Sequence, residues 1–69
     1  MKFSKAKMIA RLEQEGRAHL IDDESIKIMD ELDGKEAVKN DFKALIYGVE
    51  EYYVHTENGN YPVNKLDCE

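Results

Sequence analysis

The chain has one cysteine, one proline, four glycines and no tryptophan among its 69 residues. Each scarcity excludes something. A lone Cys68 forms no internal disulfide and fits a reducing compartment better than a secreted, cross-linked scaffold. One cysteine and two separated histidines do not make a zinc set, which takes four N or S ligands at motif spacing. The isolated Gly16, Gly34, Gly48 and Gly59 make no phosphate-cradling loop, and each falls next to an expected element boundary. No apolar run is long enough to cross a bilayer, and the basic opening Met1–Lys5 leads into no signal-type apolar stretch. The expected location is the cytoplasm. At this length one small domain is expected, burying about 60% of its unfolded surface and only marginally stable.

What is present is charge and helix grammar. Net charge is −5, unevenly spread. Residues 1–19 carry five cations against two acids, and residues 20–69 carry five cations against thirteen. Most of this surface should repel polyanions. Ser4 reads as an N-cap, with Phe3 and Met8 at hydrophobic-staple positions, and Met8, Ile9 and Leu12 as an apolar stripe. Gly16 reads as the stop, so residues 5–15 are expected helical. Asp22 is a second N-cap, with Ile21 and Ile26 as staple and Asp23 and Glu24 against the positive helix end. Asp33-Gly34 closes that helix at 23–32. Helices this short fray alone, so both must pack on the second half.

The second half reads as sheet. Glu51–His55 is aromatic and β-branched, and Asn58-Gly59 signals a turn. A two-residue turn on Asn58-Gly59 would set Pro62 at a hydrogen-bonded site it cannot serve. A four-residue loop from Glu57 to Asn60, pairing Thr56 with Tyr61, avoids this and leaves residues 61–63 on the sheet edge. Residues 36–47 are ambiguous. Val38, Phe42, Leu45 and Val49 fit a helical repeat, while Phe42, Ala44 and Ile46 fit strand alternation. Strands at 36–39 and 42–47 are favoured. The expected fold is α+β: two N-terminal helices packed on a small C-terminal antiparallel sheet of three or four strands.

No catalytic constellation emerges, and no enzyme is expected. Ser4 and Ser25 are explained by helix starts, and Cys68 lies where chain ends are often mobile. Asp30–Gly34 fails as a calcium loop because Leu32 falls where an oxygen ligand is needed. No metal or cofactor is expected. A helix-turn-helix reading fails because the second helix sets Asp23, Glu24, Asp30 and Glu31 against Lys27 alone. The basic first helix, with Lys2, Lys5, Lys7 and Arg11, leaves direct nucleic-acid binding as a lesser alternative. Two interaction surfaces stand out. Tyr52, Tyr53 and Tyr61 are protein-contact anchors, since tyrosine is enriched at interface hot spots. Asp22, Asp23, Asp30 and Glu31 form an acidic array that could imitate nucleic acid and block a DNA-binding protein or nuclease.

Met8–Glu13 closing at Glu15-Gly16, Ile28–Gly34, Tyr52-Tyr53-Val54 and Asp67-Cys68-Glu69 together resemble small uncharacterised proteins encoded by phages and prophages of Gram-positive bacteria. The resemblance implies a cytoplasmic accessory protein that binds a host factor. The C-terminal half is also similar in length and pattern to small SH3-like barrels. The expected function is non-enzymatic protein binding, with no membrane partner and a homodimer as one option.

Overall fold

The computed structural model describes all 69 residues. The chain is α+β. Helix α1 spans Lys5–Gln14 and α2 spans Asp23–Leu32, separated by a 3-10 turn at Ala18–Leu20. Strand β1 (Ala37–Lys39) leads into a third helix, α3 (Asp41–Tyr47). Strands β2 (Tyr52–Thr56) and β3 (Gly59–Val63) and a second 3-10 turn at Lys65–Asp67 complete the chain. The sheet is antiparallel in the order β1-β2-β3, so β3 is an edge strand.

Local chemistry sets the two front helices. The Ser4 hydroxyl accepts from the Lys7 N–H, and Asp33 accepts from the Lys5 N–H, so two free donors at the start of α1 are satisfied. Asp22 and Ser25 form a reciprocal capping box at α2. Met8, Ile9, Ile21 and Ile26, the staple and stripe residues, all pack against one core. That core is Phe3, Met29, Leu32, Ala37, Val54 and Cys68. Tyr61 and Val63 lean on it from β3.

Backbone pairing reaches beyond the sheet. Lys2 bridges Glu36 and Phe3 bridges Cys68, both antiparallel. The Phe3 N–H donates to the Lys35 carbonyl, and the Gly34 N–H returns a bond to the Phe3 carbonyl. Lys2 and Glu69 exchange both backbone bonds, and the Ser4 N–H donates to the Asp67 carbonyl at 2.7 Å. Residues 2–4 therefore lie between the start of β1 and residues 67–69.

One ion pair locks this arrangement. Asp67 is only 2% exposed, and its carboxylate accepts from Arg11 Nε at 2.7 Å and Nη2 at 3.0 Å. A bidentate fork on a desolvated carboxylate is a strong charge-assisted contact. Arg11 also reaches Glu15 on its outer side. The Asp67 hydrogen bond, opposed by partial burial, holds the guanidinium well above its ordinary pKa. No buried side-chain polar atom is left without a partner.

Three expectations are corrected. Residues 42–47 are helix, not strand, because Asn40 caps rather than turns: its side chain accepts from the Lys43 N–H. The hairpin closes on two residues, Glu57 and Asn58, pairing Thr56 with Gly59 rather than with Tyr61. Gly59 takes φ +117°, open without strain only to glycine, and Thr56 Oγ1 both accepts from the Asn58 N–H and donates to the Gly59 carbonyl. Pro62 then faces Tyr53. Counting alternately from the closing pair, that is a non-hydrogen-bonded site, so the constraint from proline is met in a different register. Cys68 is not at a loose end. It is buried in the core, and burial, followed by the charge of Asp67, pushes its thiol pKa up.

Three tests follow from these contacts. Arg11→Ala leaves Asp67 buried without its cation and is expected to cost about 3 kcal/mol in urea unfolding. A loss within surface-substitution range would contradict the lock. Cys68 should resist alkylation at neutral pH until the chain unfolds, since the thiolate is the reactive form and the neutral thiol is favoured. Rapid native labelling would contradict its burial. The Asp22 carboxyl is held below the usual carboxylate range, first by the Ser25 N–H and then by the Ser25 side chain. Its contribution is therefore complete above the unfolded value of about 3.9 and lost as pH falls through the lower folded value. Asp22→Ala should lower the urea midpoint at neutral pH and converge with the wild type in strong acid.

Candidate protein-contact surface

Helix α3 buries none of its residues. Phe42 is 71% exposed, Leu45 82%, Ile46 55% and Tyr47 69%. At ~100° per residue, Phe42, Leu45 and Ile46 share one stripe, and it points to solvent. Only Ala44 is half-buried, on the opposite side. Val49, just past the helix, and Val38, just before it, are also exposed.

Polar contacts cap and tether the helix. Asn40 caps its start, and Gly48, at φ +67°, ends it by donating its N–H to the Ala44 carbonyl. The Asn40 N–H donates to the Glu51 carbonyl at 2.7 Å, tying the base of α3 to the start of β2. Lys43 Nζ meets Glu51 at 2.8 Å, and this hydrogen bond, then the charge of Glu51, raises the Lys43 pKa. Isolated helices of this length are marginal in water, so these ties hold an apolar helix in place without covering it.

The outer sheet face adjoins α3. Strand alternation and register put Val38, Tyr53 and Pro62 in one cross-strand row, with His55 and Asn60 behind. His55 Nδ1 lies 2.7 Å from the Asn60 amide oxygen. An open hollow of about 460 Å³ separates this row from α3, with Asn40, Lys43, Glu51 and Tyr53 on its walls. A second, more apolar groove of about 310 Å³ runs between α1, α2 and β3, lined by Met8, Ile28, Met29, Tyr61 and Val63.

The residues singled out from sequence scatter over this frame. Tyr53 lies on the outer face. Tyr52 shares the inner face with Val54, and Tyr61 packs against the core. The three tyrosines therefore make no single platform. Asp22 is occupied as a cap, Asp30 is paired with Lys5, and Glu31 is half-buried; Asp23 is fully open. Three of the four cations expected on the first helix are likewise engaged, Lys5 with Asp30, Lys7 with the Cys68 carbonyl and Arg11 with Asp67, while Lys2 lies before the helix and is exposed. No group of three His, Cys, Asp or Glu side chains converges, and no helix is long and apolar enough to cross a membrane.

Sequence reasoning missed Leu45 and Ile46 as surface residues. The helical repeat of Phe42 and Leu45 was visible, but apolar periodicity says which residues share a face, not which way the face points. Substitutions there should accordingly leave the fold alone. Leu45→Asp is expected to shift stability by less than about 0.5 kcal/mol, against about 2–5 kcal/mol for Leu32→Ala in the core. Thermal unfolding of the two variants side by side checks this, and a large loss for Leu45→Asp would mean that the helix is structural.

No protein-family model matches the chain, and no curated protein or solved structure matches it.

Proposed function

We propose that this chain is a non-enzymatic protein-binding module that contacts its partner through α3 and the neighbouring row of Val38, Tyr53 and Pro62. The observation that carries it is a capped helix presenting Phe42, Leu45 and Ile46 to water with nothing packed over them. Scattered exposed apolar residues are ordinary on a protein surface, but a contiguous stripe on one helix is the pattern by which helices enter apolar grooves. Acidic mimicry of nucleic acid is the weaker alternative, because two of the four carboxylates it would use are tied within the fold. Binding of nucleic acid through α1 is weaker for the same reason, since its cations are spent on internal partners.

The finer reading of the fold is a small SH3-like barrel. Its support is the order of pairing: residues 2–4 beside the start of β1, then β2, β3, and residues 67–69 returning to residues 2–4 after a 3-10 turn. The two front helices are then a long insertion between the first and second extended segments. A phage or prophage setting and a cytoplasmic location fit an accessory protein of this size, and rest on the sequence resemblance.

The test is affinity capture from bacterial lysate with the wild type and Leu45→Asp in parallel. A protein retained by the wild type and lost by the variant is the expected result. Identical sets of retained proteins from both baits would overturn α3 as the contact surface.

A further inference from the structure

We infer that Pro62 closes the free edge of the sheet, so that β3 does not pair with the strand of a second copy of this chain. The inference is independent of what α3 contacts.

Strand β3 pairs with β2 on one side and has no strand on the other. Such an edge offers a row of unpaired N–H and C=O groups on which another chain can form a strand. Which residues make up that row follows from the far side of the sheet. The Ala37 N–H donates to the Met1 carbonyl at 2.8 Å, away from β2. Val38 is therefore the β1 residue that exchanges bonds with β2, and the backbone groups of its partner Tyr53 are used there. The bond from the Asn40 N–H to the Glu51 carbonyl, two residues before Tyr53, keeps the same alternation. Tyr52, Val54 and Thr56 are then left to meet Val63, Tyr61 and Gly59 of β3. Asn60 and Pro62 turn their backbone groups outward, and both residues are exposed.

The outward row is short and broken. A second antiparallel strand would bond to alternate residues, here Asn60, Pro62 and Asn64. Pro62 has no N–H to give. The Asn64 carbonyl already accepts from the Asp67 N–H at 2.9 Å, and the chain leaves the strand there for the 3-10 turn. Only Asn60 presents both a donor and an acceptor, and one residue does not hold a strand.

Nothing else guards this edge. Gly59–Val63 carries no charged side chain, the other common protection of an edge strand. Pro62 borders both the hollow beside α3 and the groove beside α1 and α2, so space lies open along it. The start of β1, by contrast, is covered by the chain's own first residues, with Lys2 bridging Glu36. Protection of β3 falls to the one proline in the sequence.

The test restores the missing donor. Pro62→Ala puts an N–H at an exposed, non-bonded site, so far-UV circular dichroism and the thermal midpoint should stay close to those of the wild type. In sedimentation velocity over a concentration series, Pro62→Ala should associate at concentrations roughly tenfold below any at which the wild type does, the worth of one net hydrogen bond. Adding Asn60→Pro to Pro62→Ala moves the break two residues earlier and should return association to the wild-type level. A Pro62→Ala that associates no more readily than the wild type overturns the inference, as does a double variant that associates as readily as the single one. Hydrogen exchange on dilute Pro62→Ala checks the geometry separately. The new amide should exchange freely while those of Tyr61 and Val63 are protected, and protection at position 62 would overturn the inference. If Pro62→Ala does not fold, Pro62→Thr, with a stronger strand preference, is read in the same way.

Discussion

The contact between Arg11 and Asp67 organises the rest of the molecule. It spans 56 positions in sequence and joins the first helix to the last turn. A carboxylate this deeply buried is tolerable only when its charge is met and its lone pairs are filled, and the guanidinium fork does both. With Asp67 fixed, its backbone carbonyl takes the Ser4 N–H, the N-terminal segment lies down between residues 67–69 and the start of β1, and Phe3 is driven into the centre. Phe3, Val54 and Cys68 come from the beginning, the sheet and the end of the chain. Without closure they would have no common centre, and a chain of this size has little other apolar area to draw on.

Closure also decides what is left outside. The core is completed by α1, α2, the three strands and the two chain ends. Helix α3 bridges β1 and β2 on the far side from that centre, moored by Asn40, Lys43 and Glu51. A helix with four large apolar side chains in water is costly in solubility and gives the domain nothing in packing. Under the proposed function, the partner's surface covers it. The same division explains why the charged residues look more committed in space than in sequence. Lys5, Arg11, Asp22, Asp30 and Asp67 are internal fasteners, while Asp23, Glu24 and Lys27 stay exposed beside them.

How much of this could be read beforehand depended on how local the signal was. Helices α1 and α2 were legible because Ser4, Asp22, Gly16 and Gly34 act within one turn of themselves. The sheet was legible because Tyr52–Thr56 is β-rich and Pro62 admits few registers. The hairpin register was missed because the Thr56 hydroxyl, bonding to its own turn, favoured closure at Gly59. Residues 41–47 were missed because Asn40 serves equally well as a turn residue or a cap, and only the fold chooses. Of the residues on and beside the α3 face, Tyr53 is also a candidate from sequence, while Leu45 and Ile46 fall in a segment whose alternation reads as sheet. The Arg11–Asp67 pair had no signature at all, since nothing in either neighbourhood marks its distant partner.

Native-state amide hydrogen exchange on Leu45→Asp tests the central claim most directly, because this variant isolates the fold from any pairing of α3. If closure around Arg11 and Asp67 holds the domain together, the amides of Lys2, Ser4 and Glu69 should exchange only with global unfolding, at the rate of Val54, while those of Ala44 and Gly48 exchange far faster. Rapid exchange at Lys2, Ser4 and Glu69, with Val54 still protected, would show a core that stands without its closure and would contradict the account.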